Sequence, residues 1–239
     1  MQVTTKAIVI SSLKYGDTSL IVKAFTESDG LKSYLLKGVM ASKRGKLKVA
    51  HFQPLTQLEL VAVHRNKGTL ESIREVKVYY PYNSIYTDIA KNAMTQFLAE
   101  MLHNCIHEEE RNQKLYHFLE TTLQWLDAHD NIANFHLFFL LSLTKYLGFY
   151  PDTKHLGHPY FDLLEGEFVQ APTLNPMMSA EVLEYFQRFL NSDFGNIGQI
   201  KMKKVERQLL LEQMVSYFEL HLQGFRKPRS LAVLHEVFG

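Results

Sequence analysis

The feature that most constrains the fold is a change of hydrophobic period near residue 81. Before it, short runs rich in Val, Ile, Leu, Thr and Tyr alternate with turn residues, which is the strand signature. After it, apolar residues recur three and four apart, which is the helical one. The two periods follow one another rather than interleave, so the chain reads as α+β, a small β domain followed by a helical one.

Thr5–Leu13, Thr18–Thr26 and Leu31–Leu36 predict three strands. Lys14-Tyr15-Gly16-Asp17 separates the first two, and Glu27-Ser28-Asp29-Gly30 supplies an Asp-Gly hairpin step before the third. Gln57–Val63 and Leu70–Tyr79 predict two more. Five short antiparallel strands fit a small OB-type barrel better than an open sheet, whose edges would need covering.

Beyond residue 81, Ile85, Ile89, Ala93, Phe97, Met101 and Cys105 predict a core stripe on a helix over residues 84–106. Leu115, Phe118, Leu119, Thr122, Leu123 and Leu126 mark a second helix. Residues 131–147 are apolar nearly all round and predict a buried central helix, ended by Gly148 and Pro151. Ser179 predicts the N-cap of a helix to Leu190, Met202–Leu222 a long helix stopped by Gly224, and Ser230 a short last one. Tyr160–Val169 reads as a hairpin about Glu165-Gly166. The expected domains are residues 1–80, the barrel, and 81–239, a helical bundle with the small hairpin at about 160–169.

The net charge of +1 conceals an asymmetry. Residues 1–80 hold 13 Lys/Arg against 6 Asp/Glu, residues 81–200 hold 6 against 15, and residues 201–239 hold 7 against 4. A basic barrel suits a polyanion, most often nucleic acid. Lys43, Arg44, Lys46 and Lys48 crowd one loop with Lys37 just before it, while Lys14, Arg65 and Lys67 occupy other loops. These eight are the expected nucleic-acid-binding residues. Tyr15 and Tyr34 offer π faces for base stacking, with core packing as the competing role for each.

Catalytic chemistry finds little support. His103 and His107 share a helix face and His155 and His158 lie close, but each pair lacks complementary ligands. Cys105 sits on the apolar stripe and, as the single cysteine, excludes an internal disulfide and a cysteine-built zinc cage. No Walker, Rossmann or G-x-S-x-G pattern occurs. The expectation is a non-enzyme with no catalytic residues, metal or cofactor. The most apolar stretch, Phe135 to Leu143, falls short of the roughly 18 residues of a membrane span, and the start lacks a signal-peptide pattern. A cytoplasmic protein is expected.

Several stretches, in order, resemble the bacterial RecO family of recombination mediators. Ala7 to Val22, with its Tyr15-Gly16-Asp17 turn, is similar to that family's opening strand pair. Phe25 to Gly30, Leu36-Lys37-Gly38 with the basic loop, and Phe52-Gln53-Pro54-Leu55 continue the likeness, as does Tyr146-Leu147-Gly148-Phe149-Tyr150-Pro151 downstream. The resemblance implies an OB fold that binds single- and double-stranded DNA and anneals complementary strands. It also implies a RecR partner, indirect action on the RecA recombinase, and contact with the acidic tail of single-strand-binding protein (SSB). Many members carry a four-cysteine zinc site after the Leu-Gly-x-x-Pro step; Asp152 to Phe161 here holds only His155 and His158, so a metal-free hairpin is expected. Lys203, Arg207 and Arg226 are the expected anchors of the SSB tail, with helix-end charge complementation or a second DNA surface as their other roles. An RNA-binding OB protein and a pure interaction scaffold remain the competing readings of the residues.

Overall fold

The computed structural model describes residues 1–41, 46–65, 67–107 and 109–238. By contacts the chain divides into two compact units, Met1–Ala128 and His129–Gly239.

The first unit begins with β1 (Gln2–Tyr15), β2 (Ser19–Thr26) and β3 (Gly30–Leu36). A 3-10 turn at Val49–Phe52, β4 (Gln57–Val63) and β5 (Ser72–Tyr80) follow. The strands form one antiparallel sheet in the order β3-β2-β1-β4-β5. β1 exceeds the predicted Thr5–Leu13 because it serves two ladders, Gln2–Ile8 pairing with β4 and Ala7–Tyr15 with β2. The two edge strands meet where Tyr34 forms a parallel bridge with Glu71, just ahead of β5. There the Leu35 N–H donates to the Glu71 carbonyl at 3.0 Å and the Glu71 N–H to the Ser33 carbonyl at 2.8 Å. The closure gives the OB-like barrel that the strand count predicts.

Ala7, Val9, Leu20, Val22, Leu58 and Leu60 fill the barrel, with Phe52 of the 3-10 turn buried among them. Tyr34 belongs to this core and is fully buried, so it offers no stacking face. Its register explains why: Tyr34 pairs with Val22, and directly opposite residues share a face of the sheet.

Two helices complete this unit, α1 (Ile89–Cys105) and α2 (Gln113–Ala128). The Asp88 carboxylate caps α1 by accepting the Lys91 N–H at 2.8 Å. Asp127 accepts the N–H groups of Asn83, Ser84 and Ile85 at 2.8–3.1 Å, which fixes the link from β5 to α1. The predicted stripe is corrected at its start: Ile85 precedes the helix, and Ile89 is 78% exposed. A four-residue spacing drifts by roughly 40° per step around a 3.6-residue helix, so six such positions leave one face. Tyr116 of α2 stacks on Phe25 with ring centroids 6.3 Å apart, and Lys6 pairs with Glu120 at 3.1 Å. α2 therefore packs with the barrel, and α1 lies against β1.

The second unit holds α3 (Phe135–Leu147), a hairpin of β6 (Tyr160–Asp162) and β7 (Glu167–Val169), α4 (Ala180–Leu190), α5 (Lys204–His221) and α6 (Leu231–Val237). α3 is buried at every position from Phe135 to Thr144, as its all-round apolar sequence requires. The hairpin turns at Gly166, where φ is 70° and a Cβ would lie 2.6 Å from the Tyr217 hydroxyl, so glycine is needed on two counts. Ser179 caps α4 by accepting the Glu181 N–H at 3.3 Å. Among the described residues, no helix is long and apolar enough to cross a membrane.

Candidate nucleic-acid interface

The outer face of β1, β2 and β3 follows from register. Leu20, Val22, Tyr34 and Leu36 point into the barrel. The residues between them therefore point out. Leu13, Ile21 and Leu35 lie side by side across the three strands, and Ser11, Lys23 and Ser33 form the next row. On the other flank Tyr15 pairs with Ser19. Continuing the register one step places Lys37 beside Ser19, whose hydroxyl accepts the Gly38 N–H at 3.3 Å. An apolar row is thus bordered by a lysine on each side. Leu13 is 68% exposed and Tyr15 is 55% exposed. Phe25, one row beyond Lys23, is covered by Tyr116, and there the open face ends.

In OB folds the outer face of strands 2 and 3, flanked by the β1–β2 and β4–β5 loops, is the surface that holds oligonucleotides. Lys14 and Lys37 lie at the β1–β2 end, both exposed. Lys14 has the opposite phase from Tyr15 and emerges at the barrel mouth because β4 pairs with β1 only as far as Ile8. Arg65 and Lys67 lie in the β4–β5 loop at the far end, both exposed. That loop is tied down: the Arg65 N–H donates to both oxygens of Glu71, at 2.8 and 2.9 Å. A cleft of about 180 Å³ between the loop and the open face is lined by Leu31, Ser33, Thr69 and Leu70 and also by the carboxylates Glu71 and Glu109.

Lys46 and Lys48 flank Leu47, which packs against the barrel core and so turns both lysines to solvent. Lys46 pairs with Glu75 on β5 at 2.9 Å, which partly neutralises it. Lys43 and Arg44 lie outside the described residues. Those of the expected cations that are described thus occupy three places around the barrel. Lys23, Leu13, Ile21 and Leu35 were not singled out by sequence reasoning. Their signal is register, since β2 is apolar on both faces and its alternation alone does not say which side is open.

The three expected tail anchors do not converge. Lys203 precedes α5 and Arg226 follows it, and 18 helical residues span about 27 Å. Arg207 is committed to the fold: its Nε donates to Asn134 Oδ1 at 3.1 Å and a terminal nitrogen to the Met202 carbonyl at 3.3 Å. Burial pulls its pKa down.

The family zinc site tests poorly against these residues. The chain has one cysteine, Cys105, buried in α1 with its thiol pKa pushed up by burial. His155 and His158 stack on each other with centroids 4.8 Å apart. In the hairpin the buried Asp162 carboxylate already accepts the Leu164 and Glu165 N–H groups, the Thr173 hydroxyl and the Asn175 amide at 2.6–3.0 Å. Among the described residues, no group of three or more His, Cys, Asp or Glu forms a candidate metal site. The residues present do not fit a four-thiolate zinc.

The family model for the N-terminal part of recombination protein O matches residues 1–82, and that for its C-terminal part matches residues 86–231. The chain is 50% identical over 238 residues to the DNA repair protein RecO of Flavobacterium psychrophilum, covering 100% of both. It is 50% identical over 239 residues to that of Christiangramia forsetii, again covering 100% of both. To that of Phocaeicola vulgatus it is 34% identical over 237 residues, covering 98% of both. With matches spanning the barrel and the helices alike, the chain belongs to the RecO family of DNA repair and recombination proteins.

Proposed function

We propose that this chain is a DNA-binding recombination mediator that catalyses no reaction of its own. It binds single- and double-stranded DNA, anneals complementary strands and, with RecR, helps load RecA onto SSB-coated strands in the cytoplasm. The observation that carries this reading is the open face of β1–β3. Exposed apolar side chains bordered by Lys23 and Lys37, with Tyr15 at one flank, suit bases that stack while phosphates meet cations. Basic loops at both ends extend the same track. None of these contacts reads a base sequence, which is what annealing of arbitrary strands requires.

The decisive experiment is annealing of complementary oligonucleotides, bare and coated with SSB, by the full chain. Acceleration in both cases, weakening steeply with salt as counterion release demands, is the expected result. Preferential binding of RNA in competition would favour an RNA-binding role. Absence of any binding would leave the scaffold reading.

A further inference from the structure

β4 accompanies β1 for only part of its length. Their ladder runs from Gln2 to Ile8 of β1. One residue further, the Val9 N–H donates to the Thr56 carbonyl at 3.0 Å and the Val9 carbonyl accepts the Leu55 N–H at 2.7 Å. There the two chains part. Leu55 takes a left-handed turn with φ of 62°, and Pro54 before it has no N–H to offer a ladder. The departure is held in place, because the Tyr82 and Tyr86 hydroxyls donate to the Leu55 and Pro54 carbonyls at 2.9 and 3.0 Å. Residues 10–15 of β1 therefore pair with β2 on one side and, among the described residues, with no strand on the other.

This open edge has the length of a strand. Six extended residues span about 20 Å, and alternate ones turn their N–H and C=O groups away from β2. Ser12, Leu13, Lys14 and Tyr15 are exposed. At its inner end the edge borders a cleft of about 190 Å³, walled by Ile10, Ser11 and Pro54 and, on α1, by Ala99, Glu100 and His103. An unpaired edge of this kind is a template for another chain. Nucleic acid lacks the alternating donors and acceptors that would fill it. A second copy of this chain would bring a further Lys14 and Lys37 to an edge that is already basic, and like charges across a ladder destabilise it.

We propose that the edge takes up an extended segment of another protein, which joins the sheet as a strand beside residues 10–15. Backbone hydrogen bonds hold such a segment, and alternate side chains select it. The bulge at Ile10 sets their phase: Ser11 pairs with Lys23 on the outer face, and Lys14 pairs with Leu20 on the inner one. Side chains directly opposite share a face. The partner residue opposite Ser11 therefore enters the cleft, which Glu100 lines and no lysine or arginine does, so an apolar side chain suits it. The residue opposite Lys14 meets an exposed ammonium, so a carboxylate suits it. The partner segment thus carries an acidic and an apolar residue three positions apart. The acidic one comes first if the added strand is antiparallel to β1 and second if it is parallel. This inference goes beyond the nucleic-acid reading and does not rest on it, because an oligonucleotide on the open face lies over the strands rather than along their edge.

The test uses the full chain and threonine-rich synthetic peptides, capped at both ends, each with one glutamate and one leucine. The two are spaced one to five positions apart, in either order, and fluorescence anisotropy reads their affinity. Binding is expected to be tightest at a spacing of three in one of the two orders. Methylating alternate backbone nitrogens of the best peptide should weaken it at least about ten-fold in one phase and leave it unchanged in the other, since only one edge of an added strand is paired. Lys14→Glu should transfer the preference to peptides with lysine in place of glutamate. Equal binding at every spacing, equal loss in both methylation phases, or a glutamate preference that survives Lys14→Glu overturns the proposal. So does failure of every peptide to bind, and self-association of the chain in sedimentation would then assign the edge to a second copy. None of these failures touches strand annealing, which tests the nucleic-acid reading separately.

Discussion

The Tyr34 hydroxyl lies 2.8 Å from Nε2 of His64, in the interior of the barrel. On the other side of the ring, His64 Nδ1 lies 3.0 Å from the Asp29 carboxylate. A carboxylate only accepts, so Nδ1 carries a proton, and in the neutral ring Nε2 accepts from Tyr34. The chain Tyr34–His64–Asp29 thereby joins β3, the β2–β3 turn and the root of the β4–β5 loop that presents Arg65 and Lys67.

Tyr34→Phe should therefore destabilise the fold by about 1–3 kcal/mol, since it leaves a buried imidazole nitrogen unpaired. Chemical denaturation measures it. The salt slope of DNA binding should stay as it was, because Tyr34 is buried and touches no solvent-facing surface. A changed slope with unchanged stability would contradict the core assignment.

A second prediction concerns acid. Burial, then the nearby charges of Arg207 and His235, pull the pKa of His136 down to about 3. The unfolded chain binds a proton near pH 6.5, so between that value and about 3 it holds more protons than the native one. Stability contributed by the neutral ring is thus intact above pH 6.5 and falls as the pH falls, by up to about 1.4 kcal/mol per pH unit from this group. Thermal midpoints from pH 7 to pH 4 should drop less steeply in His136→Leu than in the unaltered chain. Parallel curves would show that other groups govern acid lability.

The hairpin supplies a third. Burial pushes the Asp162 pKa up, but hydrogen bonds from Thr173, Glu165, Asn175 and Leu164 outweigh it and hold the carboxyl below its ordinary value. Asp162→Ala removes the acceptor shared by these donors and should cost at least about 3 kcal/mol, with Asp162→Asn intermediate. A chelator should leave the melting temperature unmoved, and His155→Ala should be near neutral. A midpoint that falls with chelator would mean that a bound metal, rather than this carboxylate, organises the hairpin.

How much of this was legible beforehand depended on the range of the interaction involved. The two periods gave the strands, the helices and the hairpin, because alternation and helical spacing are local. The buried α3 was legible for the same reason. The open face was not: Ile21 and Val22 are adjacent and both apolar, and only pairing with Leu13 and Leu35 shows that Ile21 faces out. Tyr34 suits either stacking or core packing in the sequence, and only its pairing with Val22 selects the core. Arg207 reads as a surface cation in step with Lys203, yet its partner Asn134 lies 73 residues away. Contacts of that range leave no local signature.

The last prediction addresses that arginine and the SSB tail. Arg207→Glu is the obvious substitution, but it would break the contact with Asn134, whose amide also donates to the Ile197 and Ile200 carbonyls at 2.9 and 2.7 Å. Weaker peptide binding by that variant would then report a disturbed fold as readily as a lost anchor. Lys203 and Arg226 are exposed and lie at opposite ends of α5, so they separate the two effects. An extended peptide needs about eight residues to span the helix. If an acidic tail lies along it, Lys203→Glu and Arg226→Glu should each weaken a fluorescent tail peptide, and the double variant should show the sum of the two effects in free energy. A four-residue tail fragment should feel at most one of the substitutions. Full affinity in the double variant would place the tail elsewhere on the chain and leave Arg207 with a structural role alone.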